Sequence, residues 1–229
     1  IYTGNTNPNQ SNDMAVVLKA KWIDNCTASP NCSTVADATY HGNVRITTLD
    51  GVKVLASDGG DNGTSYVSFS ALENINVVDG FTLEIKARWT DFLYWSRVFT
   101  MGNGANADNI LVANDGNSDR MCFSLRNDST ATDTYLVGNI TLNVTNVWKF
   151  ILVKNATANY TIYGYRDGVL LGSQNYTREV VRNIASYQNV WIGRSQWTSS
   201  DKDFAGYVYY VKMTLADGTK VVDVDFSKA

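Results

Sequence analysis

The sequence predicts an all-β protein, a sandwich of two antiparallel sheets preceded by an extended polar arm. Three observations carry this. Short runs rich in Val, Ile, Thr, Tyr and Phe recur along the 229 residues, bounded by Gly, Asn and Asp. The chain has only two prolines, yet no segment reads as a long helix. Several runs alternate with a period of two. In FTLEIKARW, Phe81, Leu83, Ile85, Ala87 and Trp89 fall on one face, and Thr82, Glu84, Lys86 and Arg88 on the other.

Taken in order, residues 1–13 are polar and Asn-rich and form the arm, and residues 14–229 form the sandwich domain. The first strand is expected at 15–23, where the chain turns apolar. Strands follow at 51–57 and 65–70, on either side of a Gly- and Asp-rich turn, and at 81–89, the alternating run. Strands at 96–102, 109–113 and 120–127 are separated by Gly, Asn and Asp clusters, and another is expected at 134–142. Residues 148–155 and 160–166 read as a hairpin closed by the polar tip ATAN. The pair Asp167-Gly168 then makes a tight turn into 169–174. Strands at 189–193, 206–215 and 221–226 close the domain. No repeat, low-complexity tract or linker divides the chain.

Charge and length exclude several classes. Nineteen basic and 22 acidic side chains give a net charge of −3 without a basic stripe, which argues against a nucleic-acid surface. No apolar run approaches the roughly 18 residues of a membrane span. The chain opens on Ile1 without a signal-peptide pattern, as expected of a processed mature chain. Ten Asn-x-Ser/Thr triplets begin at Asn9, Asn25, Asn31, Asn62, Asn127, Asn139, Asn143, Asn155, Asn159 and Asn175. Chance predicts about four, so a heavily N-glycosylated, secreted or cell-surface protein is expected. Cys26 and Cys32 flank five residues in a turn-rich stretch and are expected to form a short-loop disulfide. Cys122, in MCFSL, reads as a buried small hydrophobe, with a bridge between chains as the alternative.

Four stretches, in order, resemble the concanavalin A-like lectin/glucanase superfamily, and within it the laminin-G-like and pentraxin-like jelly rolls. They are SDGGDNGTSYVSF (57–69), DGFTLEIKARWT (79–90), WKFILVKNATANYTIYGYRDGVLLGS (148–173) and VWIGRSQWTSSDKDFAGYVYYVKMTL (190–215). The resemblance covers residues 13–226 and implies a jelly-roll sandwich. It does not imply one activity, because the superfamily hosts enzymes, lectins and structural modules.

The superfamily's glucanases resemble one another in pairing carboxylates on one strand, about 5–10 Å apart. Here Glu73, Glu84 and Glu179 are the only glutamates, and none has a second acid two or four residues away on the same strand. The aspartates cluster in turns, and His41, the one histidine, has no nucleophile motif beside it. No enzyme activity is expected. The resemblance also implies a structural calcium near the Asp-Gly turn, where Asp58, Asp61 and Asn62 would supply oxygens. Tyr209 stands where the family pattern places an acid, and Asn62 opens a glycosylation triplet. Calcium is thus the weaker expectation beside a metal-free loop, and no other cofactor is expected.

Tryptophans 95 and 197 fall in loops. With Tyr94 and Arg194 they either line a glycan or partner groove or cap the ends of the sandwich. Ile1 and Tyr2, at the far end of the arm, resemble an anchor. The arm is expected to fold onto its own sandwich or to dock on another copy of the chain, giving a homo-oligomer or filament. The first reading is therefore a non-enzymatic extracellular glycoprotein, structural or adhesive. A carbohydrate-binding lectin is the alternative and a glycoside hydrolase the third.

Overall fold

A computed structural model describes residues 31–104, 108–127, 132–197 and 200–229. The expected arm with Ile1 and Tyr2, the expected strand at 15–23, Asn9, Asn25 and Cys26 lie outside the described residues. The strands are β1 (Ser33–Thr34), β2 (Thr39–His41), β3 (Arg45–Leu49), β4 (Val52–Asp61), β5 (Tyr66–Phe69), β6 (Leu72–Glu73), β7 (Gly80–Trp89), β8 (Arg97–Gly102) and β9 (Asn109–Asn114). They continue with β10 (Arg120–Arg126), β11 (Thr132–Asn139), β12 (Asn146–Ala156), β13 (Asn159–Arg166), β14 (Val169–Tyr176), β15 (Ser186–Tyr187), β16 (Asn189–Ile192), β17 (Lys202–Leu215) and β18 (Lys220–Asp225).

These strands build the two layers of a jelly-roll sandwich. The front layer runs β14-β13-β12-β7-β17. It is extended by β4 and β3 along the first half of β17, and by β18 and β1 along the second. The back layer runs β11-β10-β9-β8-β16-β5-β2. At Asp203 of β17 and Arg97 of β8 a single parallel bridge joins the layers. Strands β6 and β15 form a separate two-stranded ribbon.

The alternation read from β7 is the alternation observed. Phe81, Leu83, Ile85, Ala87 and Trp89 are buried, and the residues between them are half-buried. Aromatic rings join the layers. Phe123 of β10 stacks on Phe150 of β12 with centroids 4.6 Å apart, and Phe81 meets Phe123 edge-on at 6.3 Å. Trp89 and Trp148 are fully buried, with Phe204 against Trp89 at 5.2 Å. Burying aromatics of this size stabilises the sandwich by about 1.5–3 kcal/mol per side chain.

Two turns follow directly from composition. Asp50-Gly51 and Asp167-Gly168 both adopt positive φ, as a two-residue hairpin loop requires, and they join β3 to β4 and β13 to β14. The second was expected. The first, with the short strand β3 (RITTL) before it, was not. Strand β3 keeps no clean polar–apolar alternation, and β1, β2, β6 and β15 are only two or three residues long, so none of them leaves a strand signal in the sequence. The ATAN tip pairs Ala156 with Asn159, as a hairpin end should. Strand β17 begins at Lys202, four residues before the expected start.

Cys122 is a free cysteine, fully buried on β10. Burial pushes its thiol up to about 12, so it is neither a ready nucleophile nor placed to bridge chains.

The N-terminal end of β17 carries a buried carboxylate. Asp203 accepts hydrogen bonds from the backbone N–H groups of Gly63 (2.9 Å), Thr64 (2.7 Å) and Ser65 (2.6 Å), and from the Thr64 hydroxyl (3.2 Å). Burial pushes its acid up in pKa, and these four donors pull the other way. Asp203→Ala strands three backbone donors and is expected to destabilise the fold by about 3 kcal/mol or more. Asp203→Asn, which keeps one acceptor oxygen, is expected to cost less. Thermal denaturation of the two variants checks the order.

Candidate functional site

The site forms on the outer face of the back layer, where two loops fold over it. The first loop leaves β7 at Trp89 and reaches β8 through TDFLYWS. Its end is tied by side chains: Ser96 donates to Asn114 Oδ1 (2.6 Å), and Asn114 Nδ2 donates to the carbonyls of Leu93 (2.9 Å) and Gly116 (2.5 Å). Trp95 is held at φ 48, a left-handed conformation rare for a bulky residue, with its N–H on the Gly116 carbonyl at 2.9 Å. Strain of this kind persists only where the surroundings impose it, and here it fixes the direction of the indole.

The second loop runs from Gly193 to Asp201. Asn62 braces it, with its Nδ2 donating to the carbonyls of Ser195 (3.2 Å) and Trp197 (2.8 Å) and its Oδ1 accepting from Ser195 N–H (3.3 Å). Gln196 Oε1 accepts from the Gly104 N–H at 3.0 Å. These bonds hold the backbone of the loop at Ser195, Gln196 and Trp197.

Between the loops lies a groove of about 290 Å³. Its floor is one row across three neighbouring strands, Leu111 on β9, Ser124 on β10 and Thr134 on β11, which are paired in register. Tyr94, Trp95 and Trp197 supply aromatic walls, with Ser200 and Asp201 at one end. Beneath the rings, Arg97 and Asp201 form an ion pair at 2.8 Å, both side chains almost fully buried. Arg97 also donates to the Trp95 carbonyl at 2.6 Å. Its guanidinium lies 5.3 Å from the Trp95 ring centre and 5.4 Å from that of Trp197. Asp201 further accepts from Ser195 Oγ (2.6 Å) and Ser200 Oγ (3.3 Å). Burial lowers the Arg97 pKa and the Asp201 charge opposes that shift. Among the described lining residues Asp201 is the one carboxylate, and it is engaged on both oxygens, so the described lining holds no facing acid pair of the glycosidase kind.

Of the four residues expected to line a groove, Tyr94, Trp95 and Trp197 come together here, with Tyr94 42% exposed. Arg194 does not line it; its guanidinium stacks over Trp191 and Tyr66 instead. Arg97, Leu111, Ser124, Thr134, Ser200 and Asp201 are additions that strand register and loop closure reveal.

The residues implied for calcium do not fit it. Asp58 is paired with Arg45 at 2.8 Å, and Asp61 with Lys202. Asn62 Oδ1 is used by Ser195. Among the described residues no group of three His, Cys, Asp or Glu side chains is placed to hold a metal ion. Glu84 pairs with Lys149 and Tyr210 on the outer face of the front layer. His41 bonds Ser68 at 2.8 Å and stacks on Tyr66.

Residues 61–213 match a family described as the concanavalin A-like lectin/glucanases superfamily. The chain belongs to this superfamily. Among solved structures of similar fold, domain 4 of AbnA, a GH43 extracellular arabinanase from Geobacillus stearothermophilus, in complex with arabinotriose, has a TM-score of 0.53 at 16% identity. That match covers 77% of this chain and 81% of that one. The enzymatically active domain of tailspike protein 2 of bacteriophage CBA120 has a TM-score of 0.54 at 8% identity, over 89% of this chain and 35% of that one. The binding domain of botulinum neurotoxin DC in complex with SialylT has a TM-score of 0.51 at 11% identity, over 88% and 46%. These are likenesses of fold. No curated protein sequence gave a significant match.

Within this superfamily scaffold the glycosylation triplets differ sharply in setting. Asn139, Asn143, Asn155, Asn159 and Asn175 are exposed. Asn31, Asn62 and Asn127 are half-buried, and the Nδ2 atoms of Asn31 and Asn127 donate to the carbonyls of Glu73 (2.7 Å) and Glu179 (2.8 Å). Asn62 is the most committed, since both of its amide atoms hold the Trp197 loop. Asn62→Ala is expected to lower stability by about 1–3 kcal/mol, whereas Asn139→Ala on the exposed end of β11 leaves it within about 0.5 kcal/mol. Paired melting curves check the difference.

Proposed function

We propose that this protein is a carbohydrate-binding, lectin-like domain of a secreted glycoprotein, an adhesive unit with no catalytic step of its own. The observation that carries the reading is the groove of Tyr94, Trp95 and Trp197 over the Ser124–Thr134 floor. Sugar rings present apolar C–H faces that stack on aromatics and hydroxyls that need directed polar partners. The groove offers both, from rigid strands and from loops tied by buried side-chain bonds. Asp201, the one carboxylate among its described lining residues, serves as an orienting group for Arg97, which supports binding without hydrolysis. Superfamily membership supports the same reading, as do two folds of the same kind solved in complex with arabinotriose and with SialylT.

Secretion fits the ten triplets, five of them on exposed asparagines away from the groove lining, and a Cys26–Cys32 disulfide in an oxidising compartment. Among the described residues no helix is long and apolar enough to cross a membrane. The loop tryptophans of the groove lie on chain segments where triplets are sparse, between Asn62 and Asn127 and after Asn175. Assembly through residues 1–13, with Ile1 and Tyr2 as anchor, belongs to the same extracellular reading and rests on the sequence alone.

A glycan array probed with the intact protein is expected to show binding that falls about two- to tenfold in Trp95→Ala and in Trp197→Ala, each losing a stacking contact of about 0.5–1.5 kcal/mol. Circular dichroism shows whether the variants stay folded. Folded variants with undiminished binding to every glycan would overturn the reading.

A further inference from the structure

A second site lies on the same outer face, beyond the Gly193–Asp201 loop. Strands β2, β5 and β16 place His41, Tyr66 and Trp191 side by side, with His41 and Tyr66 paired in register. His41 stacks on Tyr66 at 4.2 Å with ring planes 8° apart, and Tyr66 meets Trp191 at 5.9 Å. Arg194, two residues past the end of β16, lays its guanidinium 4.3 Å from the Trp191 ring centre and 4.6 Å from that of Tyr66. Gly63 leaves room for it: a Cβ there would come within 3.3 Å of Arg194 Cζ, Nε and Nη2. Asp203 in turn fixes Gly63 through its N–H. The guanidinium is thus held from several sides.

What it lacks is an acceptor. Arg45, Arg88, Arg97, Arg120 and Arg182 each reach a carboxylate. Arg194 makes no hydrogen bond and no ion pair with any described residue, and its Nε is buried without a partner. A planar guanidinium immobilised by aromatic stacking has already lost its rotamer entropy. Its N–H groups match the spacing of oxygens on a carboxylate or sulfate. We propose that Arg194 is an oxyanion-binding site that takes the carboxylate or sulfate group of an acidic sugar. The stacked indole and phenol fix the guanidinium plane, and Ser68, already bonded to His41, stands on the same face. The site is separate from the Trp95–Trp197 groove and adds a preference for negatively charged glycans to whatever that groove takes.

The test titrates sodium sulfate and sodium glucuronate separately into the intact protein, with sodium chloride as the ionic-strength control. The readouts are the Arg194 side-chain N–H resonance, assigned by its absence in Arg194→Gln, and the Trp191 indole resonance. Saturable shifts with sulfate, glucuronate or both are expected, and the two salts distinguish a sulfate-preferring from a carboxylate-preferring site. In Arg194→Gln the Trp191 shift is expected to vanish, with affinity at least tenfold weaker for the loss of a charge-assisted contact. In Trp95→Ala/Trp197→Ala the shifts are expected to persist, which separates this site from the groove. On a glycan array, Arg194→Gln is expected to lose acidic glycans while keeping neutral ones. Should Arg194→Gln fold poorly, Arg194→Lys keeps the charge but loses the planar fork and is expected to bind the anions more weakly. Absence of saturable shifts in the unmodified protein, shifts no larger than those with chloride, or shifts that survive in folded Arg194→Gln would overturn the proposal.

Discussion

Two almost fully buried carboxylates, Asp201 just before β17 and Asp203 within it, must be satisfied, and the loops on the outer face of the back layer depend on how they are. An unpaired buried charge costs several kcal/mol, so the chain must bring donors to each. Asp203 gathers the backbone of Gly63, Thr64 and Ser65. Asp201 gathers Arg97, Ser195 and Ser200. The first set fixes the turn that carries Asn62 and Gly63. The second fixes the floor under Trp95 and Trp197. The single bridge between the layers, Asp203 to Arg97, falls between the two clusters. Buried polar networks raise the stakes of a local fold in this way: fully satisfied, they specify one arrangement of loops.

The consequence for function is a rigid recognition face rather than a reactive one. Loop residues usually place side chains loosely, but here each loop end is tied by Asn114, Asn62 or Asp201, and Trp95 holds a backbone conformation it would not adopt alone. Preorganisation lowers the entropy lost on binding, which matters for sugars because each hydroxyl contact gains little net energy. The same logic applies at Arg194, where Tyr66, Trp191 and Gly63 hold a charged group that no carboxylate among the described residues neutralises.

One segment serves several needs at once. Asn62 opens an acceptor triplet in sequence, yet in the fold its amide is the brace between the Asp61–Ser65 turn and the Trp197 loop. Asp58 and Asp61, which resemble metal ligands in a Gly-rich turn, are taken up by Arg45 and Lys202. A turn rich in Asp, Asn and Gly can answer turn geometry, ion pairing or metal binding with the same letters. Only the neighbours supplied by distant strands decide which.

The sequence by itself determined the layered all-β class, the positions of most long strands, the core face of β7 and the Asp167-Gly168 turn. These features rest on local rules: a side-chain period of two, β-branched and aromatic enrichment, and the φ requirement of a two-residue loop. It also marked Tyr94, Trp95 and Trp197 as loop aromatics able to meet, because no strand pattern absorbed them. Tertiary structure alone decided that Leu111, Ser124 and Thr134 share one row, that Arg97 reaches Asp201 across more than a hundred residues, and that Arg194 turns to Trp191 and Tyr66 instead of the groove. Those facts depend on strand register and on the satisfaction of buried charge, which are set by pairings between segments far apart in the chain and leave no local signature in it.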